Sequence, residues 1–219
     1  MMTLQEAMEA RHSVRSFTDQ PVEAAALEAV RAAVAEHNAA VPGLRMCLVT
    51  DEPHAFSGRL ARYGKFSGVR NYLALVARKG MDEQVGYHGE HIVLLLQQLG
   101  LNSCWVGLTY RRTAEAFDVN AGEKLYALIA FGYGTTQGVQ HRNKPAEKVA
   151  RYVGGPAPQW FTEGVRAALL APTAMNQQKW RLRGEGETVT ARAGIGFYTK
   201  VDLGIVKCHF DISSGFRGS

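Results

Sequence analysis

The stretch EAVRAAV at residues 28–34 recurs as EGVRAAL at residues 163–169, and the two copies share the Glu, the Val, the Arg and two Ala. Both have the apolar spacing of a helix. Each is followed at a similar distance by a strand-like segment, the first starting at Arg45 and the second at Arg181. A unit that occurs twice in the same order predicts a chain built from two copies of one α/β unit.

A second pair of matching segments follows the first. Val85-Gly86 with His91-Ile92 matches Leu203-Gly204 with His209-Phe210 at the same internal spacing, whereas the stretch between the two matches is shorter in the second copy. Ala-rich helices can resemble one another by chance, but two matches in the same order favour duplication over chance.

The boundary between the copies is predicted at the segment Gly154-Gly155-Pro156-Ala157-Pro158. Two prolines stiffen it and two glycines loosen it, as in a linker. The expected organisation is therefore a first copy over residues 1–153 and a shortened second copy over residues 154–219.

Hydrophobic patterning along the chain predicts helices that alternate with short strands. Apolar residues at helical spacing predict helices over residues 3–10, 23–36, 91–99, 161–170 and 201–212. Short apolar runs bounded by polar or turn residues predict buried strands over 45–50, 71–77 and 125–131, and a hairpin from 180–183 and 188–193.

The composition is that of a globular protein in a reducing compartment. The chain has 219 residues, 46% of them hydrophobic, which is enough for a real core. Its three cysteines are far apart and lack CxxC spacing, so neither a disulfide framework nor a zinc knuckle is indicated. The acidic N-terminal segment lacks an apolar signal core and no run is long enough to span a bilayer, so we expect a soluble, cytoplasmic protein.

The basic charge balance is modest. A net charge of +5 and a pI near 9.2 suit phosphate-bearing partners, but the longest runs of basic residues are pairs without interleaved aromatics. A phosphorylated cofactor and a dinucleotide reductant fit this charge about as well as nucleic acid does, so the local motifs decide. Possible metal ligands at His88 with His91, and at Cys208 with His209, lack a third ligand placed by sequence, and no metal is expected.

Two segments carry residues suited to a ligand. In Arg11-His12-Ser13-Val14-Arg15-Ser16-Phe17 basic and hydroxyl residues alternate, so an extended chain directs Arg11, Ser13 and Arg15 to one side, where guanidinium forks suit phosphate oxygens or a carbonyl edge. A solvated basic turn is the alternative. The second segment, APTAMNQQKW at residues 171–180, ends a helix with Pro and offers small residues for close approach of a planar ligand, although a simple helix-terminating turn explains it equally well.

Together with LGLNSCWVG at residues 99–107 and RNKP at residues 142–145, these segments resemble the FMN-dependent nitroreductase family over nearly the whole chain. The resemblance implies an α+β fold with a mixed, mainly antiparallel sheet flanked by helices, and FMN as the cofactor. It implies a cofactor site formed by the following residues: Arg11, His12, Ser13, Arg15, Val106, Gly107, Arg142, Lys144, Pro172, Thr173, Ala174 and Asn176. Lys65, just before a core strand, is a further candidate, with an exposed lysine as the alternative.

The chain departs from the family pattern in one respect. Family members carry the Asn-containing turn directly after the first helix, where this chain has EHNAAVPG at residues 36–43, and the turn occurs only in the second copy, which lacks an Arg-x-Ser-x-Arg segment. The two copies are thus complementary. The resemblance, to small single-chain members of the family, implies a monomeric pseudo-dimer that holds one flavin.

The resemblance also implies the reaction. A hydride passes from NAD(P)H to flavin N5, and a planar acceptor such as a nitroaromatic or a quinone then takes the electrons, without a dedicated catalytic acid or base. The alternatives are a flavin-binding sensor or storage module of the same fold with little turnover and, third, a nucleic-acid-binding module, which would need a contiguous basic face.

Overall fold

The computed structural model describes residues 2–111 and 116–215. Its helices are α1 (Leu4–Ala10), α2 (Ala24–Ala40), α3 (Arg59–Tyr63), α4 (Asp82–Gln98), α5 (Gln159–Leu170) and α6 (Thr199–Ser214). Its strands are β1 (Leu44–Val49), β2 (Asn71–Arg78), β3 (Asn102–Val106), β4 (Glu123–Gly132), β5 (Ala150–Val153), β6 (Trp180–Glu185) and β7 (Thr188–Ala193). The chain forms two compact units, one over residues 10–81 and 92–140 and the other over residues 2–9, 82–91 and 141 onward.

The first unit is organised around a four-stranded antiparallel sheet in the order β1-β2-β4-β3. The two central strands are buried on both faces, since residues 72–77 of β2 and 126–131 of β4 are almost entirely inaccessible. Burial on both faces explains why these strands are continuous apolar runs rather than alternating ones. The predictions of strands at 71–77 and 125–131 are therefore confirmed.

Strand β3 was not predicted from the sequence. Its residues NSCWV include three small polar or weakly apolar side chains, so it lacks the β-branched run that identifies a strand. It is buried nevertheless because β4 pairs with it along its whole length, from Asn102 opposite Gly132 to Val106 opposite Leu128. Strand formation here is decided by the partner strand rather than by local propensity.

Helix α2 packs beside β1 in the same unit. Val30 and Val34 form its buried stripe, as the helical spacing predicts. At its C-terminal end Asn38 acts as an additional strand partner, because its Nδ2 donates to the carbonyl of Met46 at 2.9 Å and its Oδ1 accepts from the Met46 N–H at 2.8 Å. The backbone N–H and carbonyl of Met46, on the edge of β1 that no strand covers, thus have hydrogen-bond partners.

The second unit contains a smaller mixed sheet in which β5 runs parallel to β6 and β6 pairs with β7 antiparallel. The predicted hairpin is confirmed, but β6 extends to Glu185, so the turn consists of Gly186 and Glu187 alone. Helices α5 and α6 pack together and α6 also packs on the hairpin. The rings of Phe161 on α5 and Phe210 on α6 meet at 6.0 Å.

Helices α4 and α6 cross within the second unit at two glycines. A Cβ added to Gly86 would overlap the carbonyl oxygen of Val201 and lie 3.1 Å from the Cα of Gly204. A Cβ added to Gly204 would overlap the carbonyl oxygen of Glu83. The helices approach this closely because neither position carries a side chain.

The compact units do not coincide with the predicted copies. Strand β5, at the end of the predicted first copy, pairs with β6 and belongs to the sheet of the second unit. The compact units are defined by contacts within the folded chain, whereas the copies are defined by repetition of the sequence. The boundary between the copies at residue 154 therefore stays a prediction.

In the part of the chain that the structure describes, no helix combines the length and the apolar character needed to cross a bilayer. Nor do three histidine, cysteine or acidic side chains of the described residues come together as ligands for a metal ion.

Candidate functional site

The segment of residues 11–17 is extended and lies in the first unit. The Val14 N–H donates to the carbonyl of Ser103 at 3.0 Å, and the N–H of Ser67 donates to the carbonyl of Arg15 at 3.0 Å. The segment is therefore fixed by backbone bonds on both sides, one to β3 and one to the residues that precede β2. A segment fixed in this way holds its side chains in constant positions.

The two arginines of this segment differ in exposure. Arg11 is 4% exposed, whereas Arg15 is exposed and its guanidinium lies 5.9 Å from the centre of the Phe66 ring. Both act on the buried thiol of Cys104: burial raises the pKa of that thiol, while the charge of Arg15, a hydrogen bond from Ser13 and the charge of Arg11 lower it. All three side chains thus act on the same thiol of β3.

His12 is a half-buried member of the same segment. Burial, and then the positive charge of Arg11, lower the pKa of His12 below its usual value. The ring is accordingly neutral at pH 7 and adds no charge to the cluster. The backbone beside it is close, because a Cβ on Gly138, whose φ is +72°, would lie 2.8 Å from the Cβ of His12.

The remaining candidates of the first unit lie at the ends of elements. Val106 is the last residue of β3 and is 2% exposed, and Gly107 follows it. Lys65 follows the end of α3, is exposed, and has a left-handed backbone with φ +60°. It precedes Phe66, the ring beside Arg15, so it belongs to the same part of the first unit.

The turn after α5 carries the candidates of the second unit and has an unusual backbone. Met175, Asn176 and Gln178 have φ values of +53°, +51° and +44°. Residues with a Cβ avoid this left-handed region, and each costs on the order of 1 kcal/mol or more when held there. Met175 is also 83% exposed. Such strain persists only when surrounding contacts impose it.

The side chain of Asn176 supplies part of that constraint. Its Nδ2 donates to the carbonyl of Arg142 at 2.9 Å, and its Oδ1 accepts from Nε2 of Gln178 at 2.7 Å. Gln178 Nε2 donates to the same carbonyl of Arg142 at 2.8 Å. The amide of Asn176 still has one hydrogen and one lone pair available for a ligand.

Lys144 contacts the same turn. Its Nζ donates to the carbonyls of Gln177 at 2.7 Å and Gln178 at 3.0 Å, and its backbone N–H donates to Oε1 of Gln178 at 2.8 Å. An ammonium has three donors, so one is left after these bonds. The RNKP segment and the Asn-containing turn, which are far apart in sequence, are therefore brought together.

The proline side of the turn is anchored by residues that the sequence did not single out. Gln178, which is 2% exposed, donates its N–H to Oγ1 of Thr173 at 3.1 Å. Asp202 on α6 accepts from the Ala174 N–H at 2.9 Å. The sequence signal for Asp202 is an acid in the first turn of a helix, and many helices carry one for their dipole alone.

The predicted site residues therefore form two groups, each inside one unit. The first contains Arg11, His12, Ser13, Arg15, Lys65, Val106 and Gly107. The second contains Arg142, Lys144, Pro172, Thr173, Ala174 and Asn176. Membership of both groups in one cofactor site stays a prediction.

Comparisons with known proteins agree on a family. The profile of the family described as "Putative TM nitroreductase" matches residues 3–214. A structure from Thermotoga maritima, described as a putative nitroreductase, superposes with a TM-score of 0.67 at 23% identity over 97% of this chain and 83% of that one. A comparison with curated proteins gave no match.

Two further structures are similar over part of the chain. One is a putative nitroreductase in complex with FMN from Desulfovibrio desulfuricans, with a TM-score of 0.52 at 19% identity over 71% of this chain and 98% of that one. The other, from Bacteroides thetaiotaomicron, is described as a putative NADH dehydrogenase/NAD(P)H nitroreductase, with a TM-score of 0.52 at 18% identity over 65% and 95%. At these identities the likeness concerns the fold, which is nitroreductase-like, an α+β fold with an antiparallel sheet and helices.

Proposed function

This chain belongs to the nitroreductase family whose profile matches residues 3–214, and from that premise we propose that it is an FMN-dependent oxidoreductase. It takes two electrons as a hydride from NAD(P)H and passes them to a planar acceptor, such as a nitroaromatic or a quinone. The observation that supports this most is the group formed by Arg11, Ser13 and Arg15, which belong to one fixed, extended segment and all act on the thiol of Cys104.

The chemistry of this group fits the cofactor. FMN has a dianionic phosphate and a ring edge that accepts hydrogen bonds, and the first group offers two guanidiniums and a hydroxyl. Arg15 is exposed and suits the phosphate, whereas Arg11 is 4% exposed and suits a partly desolvated ring edge. The second group, with Asn176, Arg142 and Lys144, itself offers an amide and two positive charges that suit such a cofactor.

When bound, FMN supplies the hydride acceptor and the electron donor of the reaction. The chain provides electrostatics and shape. The buried charge of Arg11 would stabilise the negative charge of a reduced ring edge bound there, and more strongly than an exposed arginine would, because little water screens it. The His12 ring is neutral at pH 7, so it does not alter the electrostatic field of Arg11.

The strained turn supports the same conclusion. Left-handed residues that carry side chains are concentrated at binding sites, where neighbouring contacts hold them in place. Here Asn176 is left-handed and exposed, yet its amide orientation is fixed by Arg142 and Gln178. A fixed, exposed amide with one donor and one acceptor remaining is suited to a planar heterocycle.

The experiment that tests the function starts from the visible spectrum of the purified full chain. A flavoprotein shows flavin absorption, and mass analysis of the released compound identifies FMN. Anaerobic mixing with NADPH or NADH then distinguishes the two candidate activities. An oxidoreductase bleaches rapidly and recovers when a quinone or nitroaromatic is added, whereas a storage or sensor module does neither. A colourless protein that also fails to bind added FMN contradicts the proposal.

A further inference from the structure

The carboxylate of Asp202 connects two segments of the second unit. Asp202 lies in the first turn of α6 and is 4% exposed. Its Oδ1 accepts from the Ala174 N–H at 2.9 Å, and its Oδ2 accepts from Nε2 of Gln177 at 2.7 Å. Both partners belong to the strained turn that contains Met175 and Asn176.

The amide of Gln177 is fully used on its donor side. Its Nε2 also donates to the carbonyl of Phe197 at 2.7 Å, so its two hydrogens go to two acceptors, Asp202 and Phe197. A flipped amide would place Oε1 against both acceptors, so only one orientation satisfies the site. Gln177 thereby connects the turn both to Asp202 on α6 and to the residues that precede α6.

An anchor is needed because the turn is strained. Met175 and Asn176, with φ of +53° and +51°, follow Ala174 directly, and a free turn would relax toward ordinary backbone angles. The bond from Ala174 N–H fixes the start of the left-handed pair, and the bond from Gln177 fixes its end. The two carboxylate oxygens therefore hold both sides of it.

We propose that Asp202 is a positioning residue that keeps the turn carrying Thr173 and Asn176 in its flavin-binding conformation, a role that rests on the proposed function. Asp202 itself does not touch the flavin in this account. It acts through Ala174 and Gln177.

Protonation of Asp202 should weaken this hold. Burial raises the pKa of Asp202 to about 6, against the lowering effect of the bonds from Ala174 and Gln177. A protonated carboxyl has a hydroxyl that must donate, yet both oxygens face donors, so one of the two bonds is lost. If the turn released these two bonds while the carboxyl stayed buried, the pKa of Asp202 would rise further, so protonation favours the released turn. The turn is therefore held firmly at neutral pH and more loosely below pH 6.

Other charged side chains lie near the strained turn. They include Lys144, which contacts the turn, Lys179, which follows it, and Lys200 on α6, and Tyr198 directly precedes α6. Lys144 and Lys179 direct their ammonium groups to backbone carbonyls of Gln177 and Ile195, and Lys200 is exposed.

The test compares flavin affinity of the wild-type chain and Asp202→Asn between pH 5 and 8, with Glu187→Gln, an exposed hairpin residue, as the control. Riboflavin is titrated beside FMN, because the FMN phosphate itself changes charge near pH 6. We expect the wild-type chain to lose about tenfold in riboflavin affinity from pH 7.5 to 5, the scale of one hydrogen bond. Asp202→Asn should bind about tenfold more weakly at pH 7.5 and show no change over this range, while the control behaves as wild type.

Two outcomes overturn the proposal in distinguishable ways. If the wild-type chain binds flavin and Asp202→Asn has the same affinity and the same pH profile, the positioning role is wrong and the proposed function stands. If the wild-type chain binds neither flavin at any pH, both are wrong. If Asp202→Asn does not fold, the wild-type chain alone provides a test by NMR. The amide resonance of Ala174 should shift with pH with a midpoint near pH 6. A resonance that does not change with pH contradicts the role.

Discussion

Gly86 on α4 and Gly204 on α6 pack against each other's helix in a reciprocal way. Gly86 meets the carbonyl of Val201, three residues before Gly204, and Gly204 meets the carbonyl of Glu83, three residues before Gly86. Reciprocal contacts of this kind are the property of a two-fold symmetric interface. The same glycines occupy matching positions in the two predicted copies, so the crossing is what a duplicated chain with an internal two-fold axis would have.

The crossing predicts the effect of a single methyl group. Gly86→Ala or Gly204→Ala should destabilise the protein by about 1–3 kcal/mol, because the new Cβ meets backbone and the helices must move apart. An alanine in an unobstructed helix would instead stabilise by about 1 kcal/mol, so the sign of the change is diagnostic. Urea denaturation measures the free energy of unfolding.

Gly58→Ala is the matched control for that measurement. Its backbone has an ordinary negative φ of −89° and an added Cβ would find no atom within 4 Å. Its free energy of unfolding should stay within about 0.5 kcal/mol of wild type. Equal effects in Gly58→Ala and Gly86→Ala would contradict the close crossing.

A buried acid–histidine pair predicts a second stability effect. His209 on α6 and Glu90 on α4 are both inaccessible, with Nε2 and Oε1 2.9 Å apart, and Nδ1 of His209 donates to the carbonyl of Ala167 at 3.1 Å. Glu90→Ala leaves the imidazole without this partner, and breaking a buried pair typically costs about 3–5 kcal/mol. Glu90→Gln keeps a polar partner and should cost less.

The comparison for this pair is the exposed pair of Arg31 and Glu28 on α2, with 57% and 71% of the side chains accessible. Glu28→Ala should change the free energy of unfolding by less than about 0.5 kcal/mol. If Glu90→Ala is as mild as Glu28→Ala in thermal or urea unfolding, the buried pair is not stabilising.

A half-buried ion pair predicts a pH dependence of stability. Arg45 on β1 donates to both oxygens of Glu123, at 3.0 and 2.6 Å, and also to the carbonyl of Asp118. The bonds from Arg45, and then the Asn120 N–H, lower the pKa of Glu123 to about 2. A lowered carboxyl pKa stabilises the fold above the unfolded value near 4.5, and that contribution is lost as the pH falls toward 2.

The variant Arg45→Met tests this dependence. Its free energy of unfolding at pH 7 should be lower than that of the wild type by on the order of 1 kcal/mol. Between pH 4.5 and 2 its free energy of unfolding should fall less than that of the wild type, because the pair is already broken. Parallel acid-denaturation curves for the two proteins, with no difference in slope over this range, would show that the pair does not contribute.

The cysteines should be poorly reactive in the folded state. Burial raises the pKa of all three thiols, Cys47, Cys104 and Cys208, and only Cys47 is half-buried. Because the thiolate is the nucleophile, a thiol reagent at pH 8 should label Cys47 slowly and the other two only after denaturation. Rapid native labelling of Cys104 would show that the segment of residues 11–17 does not cover it.

Much of the fold could be predicted from local patterns, and the exceptions have physical causes. Strands β2 and β4 were predictable because burial on both faces leaves an uninterrupted apolar run. Strand β5, ARYV, was not, because its formation depends on pairing with β6, about 30 residues later in the chain. Helices were predictable in position, but α4 begins at Asp82, well before its apolar stretch.

The candidate site was predictable only in part. The alternation in residues 11–17 indicated a common side for Arg11, Ser13 and Arg15, since strand periodicity is local. The anchoring of the turn by Asp202 and Gln178 was not, because it depends on tertiary contacts such as Ala174 to Asp202, 28 residues apart. The left-handed φ values of Met175 and Asn176 were not predictable either. Neither residue type requires such values, so tertiary contacts decide them.

The central proposal, that this chain binds one FMN, is tested most directly by titrating the flavin-free chain with FMN and measuring its mass by light scattering. We predict a monomer that binds one FMN, with affinity reduced about tenfold or more by Arg15→Ala in the first group and by Asn176→Ala in the second. Arg31→Ala should bind as wild type. Two flavins per chain, an obligate dimer, or an affinity that neither site variant changes would contradict the claim.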